Sequence, residues 1–279
     1  MGEAKKKKQN RKAAAKKAQR KRSVALILGL MAVLVAVSVC IWIVVYRISF
    51  TVKEHGNYSV GLNDDGTIIG FDASNIKMCD YSKINIPEED IVPSEEDIDS
   101  AIASMMEAQG LKAEDLTDAF VQAYMPDMGS TVKEYRETYK ERQKEVNLER
   151  YLLTYLNEHC EVKGYPEGYL EGLMGLIKKL EPNENFSGKE YYALLRVKAQ
   201  RNANQASILQ AVYEKEGLTI SEANKDRVLN AYGVDKKYAS TLEEKYGKGF
   251  LNQAAIEFAV LDYLKENAVN IEKEQEKEQ

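Results

Sequence analysis

Residues 131–160 read TVKEYRETYKERQKEVNLERYLLTYLNEHC, and the period of this stretch decides the fold class. Thr131 and Glu134 stand at the spacing of a T-x-x-E capping box, where two side chains satisfy the free N–H groups that open a helix. Val132, Tyr135, Tyr139, Val146, Leu153 and Leu156 then recur at helical intervals, with Arg and Glu between them. A helix of about 30 residues is ~45 Å long, more than the diameter of a compact domain of this size. Few of its residues then have neighbours all round. The stretch predicts long helices with narrow apolar stripes, arms rather than one ball, with concave and partly apolar surfaces between them.

The same period continues on both sides. Ser94 precedes Glu95, Glu96 and Asp97, acids that favour a helix N-terminus, and Ile98, Ile102 and Met105 follow on one face. Thr117 caps a short helix carrying Phe120, Val121 and Tyr124. Towards the C-terminus, Pro166 suits a first helical turn, and Leu170, Leu173, Met174, Ile177 and Leu180 line the helix after it. Ser187 and Glu190 form another capping box, opening a second long helix that ends near Gly217, a C′ glycine. Ser221 starts a shorter helix that stops at Gly233, and a last helix over 251–267 carries Ile256, Val260, Leu261 and Leu264. Residues 271–279 (IEKEQEKEQ) read as a frayed, disordered tail. Residues 48–92 are the least helical part. Asn63-Asp64-Asp65-Gly66 is a turn signal between β-prone runs and predicts a hairpin, with an extended segment over 81–92 broken by Pro87 and Pro93.

The N-terminus has a different composition. Residues 1–22 hold eleven Lys or Arg and one acid, Glu3. Residues 24–46 are 23 positions without a charge, about 34 Å as a helix and enough to cross a ~30 Å hydrocarbon core. The length exceeds the usual apolar core of a signal peptide, and no A-x-A-like cleavage site follows. Val39 before Cys40 is too large for a lipidation site. Positive flanks stay in the cytoplasm, which predicts a single-pass cell-membrane protein with a cytoplasmic N-terminus and an extracytoplasmic C-terminal domain. The expected organisation is a basic tail over 1–23, a transmembrane helix over 24–46, an extended or β linker over 47–92, a helical domain over 93–270 and the tail over 271–279. Contact of residues 5–22 with anionic lipid is a second role for the tail.

Setting aside those cations, Glu3 and Arg47, 27 basic and 43 acidic side chains remain, a net charge of −16 over 48–279. That opposes nucleic acid as a partner, since phosphate binding needs a positive face. No metal is expected, because His55 and His159 are the only histidines and neither has a second ligand at a suitable spacing. His159 and Cys160 are adjacent, so on a helix their side chains diverge and do not form a catalytic pair. Cys79 and Cys160 do not make a disulfide framework, and pairing between them is left open. The chain has no G-x-S-x-G elbow, P-loop, G-x-G-x-x-G or H-E-x-x-H. Binding is expected rather than catalysis.

Five blocks, in order, carry a resemblance: CDYSKINIPEEDIVPSEEDIDSAI (79–102), LTDAFVQAYMPDMGSTVKEYRETYKERQKEVNLE (116–149), EVKGYPEGYLEGLM (161–174), AVYEKEGLTISEANKDRV (211–228) and AAIEFAVLDYLKENAVN (254–270). Together they resemble the C-terminal, peptide-binding part of the trigger factor family of bacterial folding chaperones. The family's FKBP-type prolyl isomerase domain would fall where this chain has only MEAQGLKAEDL (106–116), and tail and apolar segment stand where the family has its ribosome-docking domain. The resemblance implies a mostly α fold with long-helix arms and chaperone-type binding of unfolded or nascent secreted polypeptides. It implies no ATP and no other cofactor, and it does not carry isomerase activity across. Aromatic and flexible apolar side chains suit weak, sequence-tolerant binding, which makes Tyr135, Tyr139, Tyr155, Tyr169, Met174, Tyr191 and Tyr192 the candidate peptide-binding residues. Two other readings stay open: a helical scaffold with one dedicated envelope partner, and a degenerate prolyl isomerase.

Overall fold

The computed structural model describes residues 58–180 and 188–272. In chain order the helices are α1 (Glu88–Ile91), α2 (Glu95–Glu107), α3 (Asp118–Tyr124), α4 (Val132–His159), α5 (Tyr169–Leu180), α6 (Gly188–Lys215), α7 (Glu222–Ala231), α8 (Ala239–Tyr246) and α9 (Lys248–Asn267). The strands are β1 (Ile76–Lys77), β2 (Ile84–Pro87), β3 (Glu161–Val162) and β4 (Val269–Glu272). They form two separate pairs, β1 antiparallel to β3 and β2 parallel to β4. By contact the described chain divides into a smaller unit, 94–139, and a larger one made of 58–93 and 140–272.

The smaller unit follows from its caps and spacing. The Ser94 hydroxyl accepts from the Asp97 N–H, and the Asp97 carboxylate accepts from the Ser94 N–H, a reciprocal box. Ile98, Ile102 and Met106, each four residues apart, are buried along α2. Thr117 caps α3, whose Phe120 and Val121 are buried. Tyr135 completes the cluster. Arg136 is held between Glu95 at 2.8 Å and Asp99 at 2.6 Å. The Thr131 hydroxyl does accept from the Glu134 N–H, but the Glu134 carboxylate reaches one residue further back, to the Ser130 N–H.

The larger unit has the longer core. Leu148, Leu152 and Leu156 from α4 meet Ile84, Ile86 and Ile91, Ile208 and Val212 from α6, and Ile256, Val260, Leu261 and Leu264 from α9. Burial of Ile84, Ile86 and Ile91 places the expected linker segment inside this core. The turn at 63–66 forms, but its flanks pair only once, at Leu62 and Ile68, because both side chains are drawn into the apolar cluster around α5 and α6. Gly66, at φ +90°, sits with its Cα against the Asn252–Gln253 backbone, where a Cβ would lie 2.4 Å from the Gln253 nitrogen. Ile271 and Glu272, expected in the frayed tail, instead pair with Ile86 and Pro87.

Two expectations are corrected here. The fold class expected from sequence included a transmembrane helix. Among the described residues no helix is long and apolar enough to cross a membrane, and residues 24–46 lie outside them. The single stripe expected along α4 is replaced by two. Tyr135 and Tyr139 serve the smaller unit, while Leu148, Leu152 and Leu156 serve the larger, with Leu153 half-buried and Val146 exposed. One helix that enters two cores changes the face it buries, and a single period read along its whole length misses the change.

Candidate functional site

Helices α5 and α6 lie against each other through small side chains. Ala199 and Ala203 of α6, both fully buried, face Tyr169, Leu170, Met174 and Ile177 of α5, with Leu195 alongside. Alanine at a four-residue spacing lets two backbones approach, so a narrow strip of α6 does the packing. The neighbouring positions of that helix are left outside. Tyr192 is 54 % exposed, Leu194 39 % and Val197 63 %. Three of the seven large apolar side chains exposed in the described chain thus fall within six residues, whereas Ile69, Val146, Tyr238 and Ile271 are scattered. Leu194 and Val197, three residues apart, share one face of the helix, and Tyr192 lies on another; single exposed apolar residues are ordinary, and adjacent ones make this helix a candidate for binding.

Charge distinguishes this surface further. Lys178 and Lys179 of α5 and Lys189, Arg196, Lys198 and Arg201 of α6 stand against only Glu171 and Glu190 over 169–180 and 188–201. The local balance is positive in a region, 48–279, whose net charge is −16.

The residues picked from sequence belong to different clusters. Tyr135 is buried in the smaller unit, its hydroxyl 3.3 Å from the Met105 sulfur, and Tyr139 stacks beside it with ring centroids 6.3 Å apart. Burial pushes the Tyr139 phenol up. Tyr155, in the larger unit, donates to the Asp80 carbonyl and stacks on His159 at 4.2 Å. Tyr169 and Met174 are core residues between α5 and α6, and burial raises the Tyr169 phenol. Tyr191 is half-buried against the same cluster. Tyr192 alone of the seven is exposed. Leu194 and Val197 were not singled out in the sequence. The signal for them was the Leu195–Ala199–Ala203 spacing, which fixes the packed face and leaves both leucine and valine off it.

Two other features of the larger unit bring polar groups together. Glu149, Arg227, Asp262 and Lys265 interlock between α4, α7 and α9. Arg227 pairs with Glu149 and with Asp262 at 2.6 Å, Lys265 with Glu145, Glu149 and Asp262, and Asn224 donates to Asp262 at 2.8 Å. Burial pulls the Lys265 ammonium down, and Glu145 and Glu149 outweigh it, leaving it above its ordinary value. Every carboxylate here has a cation, so the cluster is a structural lock with no free acid or base. The second is an open groove of about 470 Å³ lined by Gly233, Val234, Tyr238, Leu242 and Lys245. It brings no reactive set together. Among the described residues no three His, Cys, Asp or Glu side chains are placed to hold a metal.

Compared with known proteins, the chain matches no family model, no curated protein and no solved structure.

Proposed function

We propose that this chain is an ATP-independent folding chaperone of the trigger factor C-terminal kind, holding unfolded or newly translocated polypeptides. The observation that carries the reading is the exposure of three apolar side chains on α6, Tyr192, Leu194 and Val197, beside cations on an otherwise acidic chain. Apolar contact with a mobile segment needs no defined sequence, and the charges around it keep the empty face soluble. Release follows when the client buries its own apolar surface. The family resemblance rests on the five sequence blocks. The cell-membrane location, with the C-terminal domain extracytoplasmic, is part of the proposal and rests on the charge pattern of residues 1–47.

The test is suppression of aggregation of a chemically unfolded protein by the purified chain, without nucleotide. Suppression near equimolar ratios is the expected result. A folded, helical chain that suppresses nothing, and that retains one protein at stoichiometric level from membrane extracts, would replace this reading with the dedicated-partner scaffold. Acceleration of prolyl isomerisation in a short peptide would favour the isomerase reading.

A further inference from the structure

Cys79 follows β1 by two residues, and Cys160 stands between the end of α4 and β3. The β1–β3 register, Ile76 opposite Val162 and Lys77 opposite Glu161, brings the two cysteines to the same end of the ladder. The Cys160 N–H donates to the Leu156 carbonyl at 3.0 Å, which fixes it as the last residue of the helical turn. The Cys79 N–H donates to the Cys160 sulfur at 3.2 Å, and the two sulfurs are 2.6 Å apart. Cys160 is buried and Cys79 half-buried, both part of the large core or packed on it. A disulfide needs an S–S distance of about 2.05 Å and backbones held at a fixed separation. Here the strand pair and the helix end hold the two residues with their sulfurs 2.6 Å apart.

We propose that Cys79 and Cys160 form a disulfide in the working protein. Both thiols lose a proton, the pair loses two electrons as one S–S bond forms, and a disulfide oxidant accepts them to become two thiols by exchange. The bond would close a loop that opens just after β1 and ends just before β3. Residues 94–139 lie wholly within the closed loop. Cross-links over loops this long restrict the unfolded chain more than short ones do. The pair is independent of the chaperone reading. Burial and the neighbouring Cys160 push the Cys79 thiol up to about 12, so exchange is slow at neutral pH and quickens as pH rises.

The full chain, reduced and then equilibrated with excess glutathione disulfide, is unfolded, alkylated with a maleimide and weighed. Three thiols should react in the reduced sample. After oxidation neither Cys79 nor Cys160 should react or carry glutathione, and a proteolytic fragment should join their two peptides. The melting temperature of the oxidised chain should exceed that of the reduced one by about 5–10 °C. Cys79→Ser should remove the mass change and make the melting temperature indifferent to oxidant. Should Cys160→Ser fail to fold, the half-buried position 79 still gives the control. Three reactive thiols after oxidation, or a bond through Cys40, would overturn the proposal.

Discussion

The two ends of α6 have opposite surroundings. From 188 to 203 the helix buries three residues at a four-residue spacing: Leu195, Ala199 and Ala203. From 207 to 212 it buries six in succession: Ser207, Ile208, Leu209, Gln210, Ala211 and Val212. The first half packs against α5, with Leu62 and Ile68 in the same cluster, and its remaining positions carry Leu194, Val197 and charge. The second half is enclosed by the main core, and even its polar groups have assigned partners. Gln210 accepts from the Ile68 N–H at 2.7 Å and donates to Glu214 at 2.7 Å. A helix packed on one side offers surface to other molecules, and one packed on every side sets the fold.

The largest effect is expected in the enclosed half. Ile208→Ala removes a side chain that is 2 % exposed and should cost about 2–5 kcal/mol in urea unfolding. Leu194→Ala, in the open half, should change stability by about 0.5 kcal/mol or less. Equal losses from the two substitutions would dissolve the contrast. Next comes Gln210→Leu. It keeps much of the volume and leaves the Ile68 N–H buried without an acceptor, for an expected loss of about 1–3 kcal/mol. The same measurement checks it, and a neutral result would mean that water or another group reaches Ile68.

This contrast also marks how far the sequence could be read. Helix starts were legible at Ser94, Thr117 and Ser221, because a capping side chain acts on backbone two or three residues away, and the structure shows each of the three bonds. Both long helices were legible from period and composition. The partners of a helix were not. Nothing near residue 210 in sequence announces Ile68, and nothing in 81–92 announces that Ile84 and Ile86 will pair with the end of the chain at Val269 and Ile271. Those contacts are made across 140 to 190 residues and depend on topology. The tyrosines suffered from the same limit. Tyr135 and Tyr169 have the amphipathic side chain of a binding residue, and it is the fit of Tyr169 over Gly61, or of Tyr135 against Met105, that makes them core.

A smaller effect should appear at the end of the enclosed half, as a function of pH. Glu216 accepts from the Tyr81 hydroxyl at 2.7 Å and the Tyr263 hydroxyl at 2.8 Å, and these bonds, that of Tyr81 first, hold its carboxyl below the ordinary glutamate range. The ionised form is the one the fold prefers, so the stabilisation is present above a pH of about 4.5 and is lost as pH falls through the lower folded value. Tyr81 and Tyr263 are shifted upwards, the first by burial and then by Glu216, the second by its bond to Glu216. Their contribution is present below a pH of about 10 and lost as pH rises beyond it. The stability difference between the parent and Glu216→Gln should therefore be widest near neutral pH and narrow towards both extremes. A difference that stays constant from pH 3 to 8 would remove the carboxylate from this account.

The smallest change in stability should accompany the largest change in binding. Tyr192, Leu194 and Val197 replaced together by Ser leave Leu195, Ala199 and Ala203 in place, so the α5–α6 packing has no reason to alter. Serine has a lower helix propensity than leucine, by a few tenths of a kcal/mol, and exposed apolar side chains lose little on truncation. The melting temperature and helicity should stay close to those of the parent. Suppression of aggregation should fall several-fold, because the substitution removes apolar area that a client would cover. Two results would break the link between open face and function. Unchanged suppression would move the client surface elsewhere on the chain. Lost helicity would mean that the face is packed in solution, and the open half of α6 would then resemble the enclosed one.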